Sequence, residues 1–179
     1  MKVAILTLTF PPEPAQHILD LAQGLAGHGH EVTVLTSLPS YPFGRIYAGY
    51  RHRLFSVQIR DRVKIFRLAV IPSHSPSFLK RGIYYATNAL SIFVFLILTI
   101  YRAYDITIAY LPPLTTAFPA LFMGWLKRER FMLWIHDMWP ETLQEGGIRN
   151  KKILEVIGRT ASYFYQKASH IMVLSDGFK

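Results

Sequence analysis

Between Phe131 and Glu141 the chain reads FMLWIHDMWPE, and two side chains able to do chemistry, His136 and Asp137, follow directly on the apolar run Leu133-Trp134-Ile135. An imidazole beside a carboxylate can move a proton, orient its neighbour or hydrogen-bond a substrate hydroxyl. Trp139-Pro140 stops the run, because proline cannot donate to a strand ladder, and Glu141 stands where a following helix can begin. The same residues admit an architectural reading in which His136 caps a strand, Asp137 opens a turn and Trp139 packs on the core. No His-x-x-x-His pair or paired carboxylates accompany them, so no metal site is expected. The chain contains no cysteine, which excludes disulfides, thiolate metal sites and cysteine nucleophiles.

The elements that must position these groups are legible as alternating patterns. Val3 to Thr9 reads as a β-branched strand ended by Phe10-Pro11-Pro12. Ile18, Leu19, Ala22, Leu25 and Ala26 then recur at helical spacing before Gly27 and Gly29, and Glu31 to Thr36 reads as a second strand. A turn-rich loop over Ser37 to Gly44 leads to a pair of short strands around Asp61-Arg62, expected at a sheet edge. Helices are expected over Ile83 to Tyr101, Leu114 to Leu126 and Ile148 to Lys167, with strands over Asp105 to Tyr110, Phe131 to His136 and His170 to Leu174. Strands separated by helices of this length call for right-handed crossovers. The expected fold is α/β: a Rossmann-like, doubly wound, mainly parallel sheet forming one domain over residues 1–179. Ligands then belong outside the carboxyl ends of the strands, where the loops at Phe10 to Gln16, Ser37 to Gly44, Tyr110 to Pro113, His136 to Glu141 and Ser175-Asp176 converge.

The loop after the first strand, Phe-Pro-Pro-Glu-Pro-Ala-Gln-His, contains neither G-x-G-x-x-G nor a G-K-[ST] P-loop, which speaks against NAD chemistry and P-loop NTPases. Twenty Lys and Arg against eleven Asp and Glu give a formal charge of +9, favouring anionic partners. No RRM, KH or zinc pattern organises the aromatic residues, so nucleic acid is not the expected one. From Ile83 to Ile100 no residue is charged, and Lys80, Arg81 and Arg102 bracket the run. That length sits at the lower limit for a membrane span; its place between strands favours a helix that covers the sheet and offers its spare apolar face to lipid.

Four stretches together, LTFPPEP, HGHEVTVLTSLPSYPFGRIYAGY, WIHDMWPE and ASHIMVLSDGFK, resemble the N-terminal half of family 4 glycosyltransferases. The resemblance is to bacterial enzymes of the L-fucosamine and colanic-acid transferase kind. It implies the N-terminal, acceptor-side half of a GT-B fold, with the donor-binding C-terminal domain and its Glu-x₇-Glu element absent from this chain. By this resemblance the full protein is a retaining glycosyltransferase, hexosyltransferase-like. It would move a sugar from a nucleotide-sugar to a glycan or lipid-linked acceptor in surface polysaccharide synthesis, without a cofactor or metal, at the inner face of the cell membrane. This chain alone would be inactive.

The same resemblance implies that His136 faces the donor sugar as a catalytic residue and that Asp137 orients His136 or the acceptor. It sets Pro12, Glu13, Ala15, Gln16, Tyr41, Pro42, Gly44, Trp139 and Glu141 against the substrates. The amides of Ala15 and Gln16 would approach the donor phosphate, and Glu141 would hold its loop through helix-terminal N–H groups. The departure is the first loop, which lacks the small-residue or glycine-containing turn usual in relatives and is a residue or two short. A non-catalytic, membrane-associated binding domain remains the alternative.

Overall fold

Val3 and Ile5 project to one side of β1 (Lys2–Leu6) and Ala4 and Leu6 to the other, and both sets are buried. A strand packed on both faces belongs in the middle of a parallel sheet covered by helices. In the computed structural model, which describes residues 1–179 apart from Pro76, Gly146, Asp176, Phe178 and Lys179, β1 has that position. On one side it pairs in parallel with β2 (Glu31–Ser37). Beyond β2 lie β4 (Val63–Leu68), parallel, and β3 (Phe55–Arg60), antiparallel at the edge. On its other side β1 pairs with β5 (Ile106–Leu111), followed by β6 (Arg130–Ile135) and β7 (His170–Val173), all parallel. The order β3-β4-β2-β1-β5-β6-β7 is a doubly wound sheet whose direction of travel reverses between β1 and β5. Asp61 and Arg62 both take positive φ, 48° and 68°, as a two-residue turn joining β3 to β4 requires.

One face of the sheet is covered by α1 (Gln16–Gly27), whose Ile18, Leu19 and Ala22 meet Val3, Ile5, Val34 and Ile65. The other carries α2 (Phe78–Leu98), α3 (Ala117–Lys127) and α5 (Lys151–Lys167), packed on Leu6, Leu35, Leu68, Leu111 and Leu133. The long apolar helix starts five residues earlier than expected and ends three earlier: Lys80 and Arg81 fall within its first turn rather than ahead of it. It is long and apolar enough to cross a membrane, yet it forms the crossover from β4 to β5 and buries Tyr84, Asn88, Ile92, Phe95 and Leu96 against the protein. The helix expected from Ile148 begins at Lys151 instead, because the Asn150 side chain accepts from the Lys152 and Ile153 amides at 3.1 and 3.3 Å. A separate short helix, α4 (Glu141–Glu145), precedes it.

The loops over the β1 and β2 ends are tied by one carboxylate. Glu13, only 2% exposed, accepts the Phe10 amide at 3.0 Å and the Ser40 and Tyr41 amides at 2.8 Å each. Arg67 of β4 lies below the same loop, donates to the Pro11 carbonyl and sets its guanidinium 5.2 Å from the Tyr50 ring centroid. Burial pushes the Glu13 carboxyl above its ordinary range, offset in part by the three amides and by Arg67.

Glu13→Gln retains an acceptor oxygen for Ser40 and Tyr41 but turns an NH₂ on the Phe10 amide, so the substitution is expected to cost about 1–3 kcal/mol. Because the folded carboxyl binds its proton more tightly than the unfolded one, wild-type stability from this group is fully present below the ordinary value and is lost as pH rises through the raised one. Urea denaturation across that window should show the slope in wild type and a flatter profile in Glu13→Gln.

Candidate functional site

At the β1/β5 reversal the loops leave the sheet in opposite directions and open a crevice past the carboxyl ends of the strands. A cavity of about 430 Å³ lies there. Thr9 from the first loop, Tyr41 from the second, His74 ahead of α2, Arg81 and Tyr85 on α2, and Tyr110 of β5 line it. Pro112-Pro113 closes one side, pinned by the Thr116 hydroxyl, which bonds the Tyr110 and Pro113 carbonyls at 2.8 Å each.

Alternation along paired strands decides what stands beside this cavity. Tyr110 pairs in register with Trp134, and Trp134 and His136, two residues apart, turn the same way. The His136 amide extends the ladder by donating to the Leu111 carbonyl at 2.9 Å. From the other direction α1 brings His17, its second residue. The result is a cluster in which His136 stacks on His17 at 4.8 Å, with an interplanar angle of 29°, and lies 4.8 Å from Tyr110 and 5.0 Å from Trp134. His17 Nε2 and the Tyr110 hydroxyl are 2.9 Å apart. His136 Nε2 is buried with no partner among the described residues.

Burial lowers the pKa of both imidazoles; for His136 the neighbouring His17 lowers it further, against the pull of Asp137. The same desolvation, helped by Asp137, raises the Tyr110 hydroxyl to about 12. Near neutral pH the site therefore offers two uncharged imidazoles and a protonated phenol, groups that can both donate and accept hydrogen bonds. Half-buried Asp137 provides the negative charge beside Tyr110 and Tyr85. Among the described residues, no three His, Asp or Glu side chains come together to hold a metal ion.

The other residues expected to meet substrate divide by position. Tyr41 lines the cavity, edge-on to His74 with ring centroids 5.4 Å apart. Pro42 is half-buried beside it. Gly44 takes φ +65°, and a Cβ there would lie 2.7 Å from the His74 backbone nitrogen. The Y-P-x-G loop therefore needs its glycine for a backbone approach. Pro12 is exposed and Glu13 is the buried tie already described, a structural group rather than a wall of the cavity. Ala15 is buried and spends its amide on the Glu13 carbonyl at 2.7 Å, which leaves Gln16 leading the helix; the Gln16 side chain turns to Asp20 at 2.8 Å.

Trp139 packs on the α2/α3/α5 side of the core, away from the imidazoles, with its indole N–H unpartnered among the described residues. Glu141 is exposed, and the amides of Thr142 and Leu143 go to the Met138 and Pro140 carbonyls at 3.0 Å. That loop is held by backbone, not by the Glu141 carboxylate. Asp176, expected at the same crevice, lies outside the described residues. His17 and Arg81 were not expected here. His17 is marked in the sequence only by standing at the start of the helix after the first loop, and Arg81 only by bordering the uncharged run.

The sequence profile of the glycosyl transferase 4-like domain matches residues 13–179. No curated protein matches the sequence. Among solved structures, the chain is similar to sucrose-phosphate synthase from Thermosynechococcus elongatus, with a TM-score of 0.56 and 13% identity, over 98% of this chain and 42% of that one. It is also similar to a structure described as trehalose-6-phosphate from E. coli bound with UDP-2-fluoro glucose, with a TM-score of 0.51 and 13% identity, over 97% of this chain and 48% of that one. The chain thus spans less than half the length of either. The likeness establishes the sheet as the Rossmann-like half of a GT-B fold.

Titration of the histidine ring protons by NMR should give midpoints below about 6.5 for both His17 and His136, and His17→Phe should raise the His136 midpoint by removing its positive neighbour. Both lowered values mean that stability is fully present above the ordinary histidine pKa and declines as pH falls through it toward the folded values. An unmoved His136 midpoint in His17→Phe would show that the stacked rings are not electrostatically coupled.

Proposed function

Because this chain belongs to the glycosyl transferase 4-like domain family, we propose that it is the acceptor-side domain of a retaining glycosyltransferase that moves a sugar from a nucleotide-sugar to a lipid-linked glycan in surface polysaccharide synthesis, of the L-fucosamine and colanic-acid transferase kind. The observation that carries this reading is His136: a neutral imidazole at the carboxyl end of β6, beside the switch-point crevice, with a ring nitrogen that no group among the described residues satisfies. A buried polar atom without a partner is costly, and a substrate hydroxyl relieves that cost.

In retaining transfer the bond from the anomeric carbon to the diphosphate breaks and its electron pair leaves with the phosphate; the acceptor oxygen bonds to the oxocarbenium-like carbon on the same face and its proton passes to the departing phosphate oxygen. His136 holds a hydroxyl of the donor sugar as charge develops. Asp137, on the crevice side of the same turn, orients His136 or the acceptor hydroxyl, and Tyr41 forms part of the acceptor wall. Gln16 at the head of α1 offers its amide to the donor phosphate. The cations that take most of the departing charge come from a second Rossmann-like domain, a reading supported by the solved relatives, which are more than twice as long. On its own the chain then transfers no sugar.

The membrane supports the acceptor half of the reading. Leu79, Ile83, Leu90, Val94 and Leu98 form an exposed stripe on α2, opposite its packed face and bracketed by Lys80 and Arg102. An apolar stripe among basic residues suits a peripheral protein on an anionic cytoplasmic leaflet, where each basic residue contributes about 1 kcal/mol.

In the complete protein, His136→Ala is expected to lower kcat by about 10- to 1000-fold with the fold intact; unchanged kinetics would assign His136 to architecture alone. The protein should sediment with anionic vesicles and not neutral ones, come off in high salt, and be stripped fully by alkaline carbonate. Indifference to vesicle charge would remove the electrostatic part, and resistance to carbonate would point to a spanning helix.

A further inference from the structure

The face of the sheet that carries α2, α3 and α5 holds a second concavity that sugar transfer alone does not require. It runs along α3, with α2 as one wall and α5 as the other. Near the crevice it is a cavity of about 270 Å³ between Phe78, Tyr85, Leu114, Trp139 and Ile157. Farther along α3 lies a second cavity of about 720 Å³ between Phe93, Leu121, Phe122, Trp125 and Tyr163, which Glu129, Arg130 and Lys167 also line. Phe118 borders both parts and stands half-exposed. From Phe118 to Trp125, itself 76% exposed, α3 advances about 10 Å. A monomer surface rarely leaves two neighbouring, largely apolar concavities of this size uncovered.

The inner end decides what fits. Arg81 and Tyr85 border the first part of the trough and also the polar cavity at the strand ends. Among the described residues the Arg81 guanidinium has no carboxylate within ion-pair distance. The sequence of environments is thus a polar cavity, an uncommitted cation at the junction, and a mainly apolar trough beside the exposed stripe of α2, with Arg130 and Lys167 along its farther part. A folded protein partner would not need the first two to be continuous with the third. A molecule with a polar head, a phosphate and a hydrocarbon tail needs that order.

Resting on the lipid-linked acceptor of the preceding reading, we infer that the trough between α2, α3 and α5 binds the hydrocarbon chain of the acceptor lipid and that Arg81 takes its phosphate. The glycan end then lies in the crevice by Tyr41 and Tyr110, and the chain emerges past Trp125 at the membrane.

The test uses a twenty-carbon prenyl monophosphate bearing a terminal photoreactive group, delivered on cyclodextrin. The expected crosslinks fall in α3 and the second half of α5. Phe118→Asp and Trp125→Glu, both at exposed positions where the fold should tolerate them, should each weaken binding about tenfold or more. Arg81→Gln should weaken the phosphate by a similar factor and leave the corresponding prenyl alcohol unchanged. Crosslinks confined to the outer stripe of α2, or affinities unmoved in all three variants, would overturn the inference, as would protection of the trough by self-association of the chain. The two readings fail separately: prenyl phosphate bound in the trough with no sugar transfer by the complete protein sinks the transferase reading. Transfer to a short soluble acceptor with no chain-length dependence and no crosslink in the trough sinks this one.

Discussion

A single buried carboxylate organises the ends of the two strands on which the site depends. Glu13 gathers the amides of Phe10, Ser40 and Tyr41, so that the loop after β1 and the loop after β2 share one acceptor. Buried amides must find partners, and here one side chain satisfies three of them without adding a strand or helix. Ser40, held in this way, reaches the Tyr84 hydroxyl at 3.0 Å and so ties α2 to the same point. Tyr41, Arg81 and Tyr85 face a common cavity because of these ties.

The sheet divides the chemistry between its faces. Alternation along β5 and β6 turns Tyr110, Trp134 and His136 toward the α1 side, where His17 meets them. The opposite side is left to Leu111, Leu133, Ile135 and the three long helices. Polar groups with shifted protonation therefore collect beside the crevice on one face, while apolar surface in excess of what the core needs collects on the other. Arg81 lies where the two regions meet, and the lipid acceptor proposed above would follow that division.

On the proposed membrane-surface reading, α2 would serve two solvents at once. As the crossover from β4 to β5 it must bury a face on the sheet, and Tyr84, Ile92 and Leu96 do so. Among the described residues nothing covers its other face, and the uncharged run from Ile83 to Ile100 leaves that face apolar. A spanning helix would have to leave the sheet and give up the inward packing; a helix lying on a membrane keeps both sets of contacts.

Much of this protein was determined locally. The β/α alternation, the Asp61-Arg62 turn and the ending of β6 just before His136 follow from side-chain period and backbone preference, which act over a few residues and can be read in order along the chain. The resemblance carried by Y-P-x-G and D-x-W-P-E also depends on short spacings, and Gly44 has a local reason in its positive φ. Tertiary structure decided which groups meet. Glu13 has the sequence context of an exposed loop carboxylate, and only the approach of residues 40 and 41, from the loop after β2, makes it a buried tie. His17 stacks on His136 across 119 positions of sequence because the β1/β5 reversal sets the start of α1 beside the end of β6. Trp139 and Glu141, two and four residues past Asp137, turn elsewhere, since a loop leaving a sheet has no fixed period. Local propensity sets the elements; which side chains share a pocket is settled by the strand order and by burial, which no short window of sequence contains.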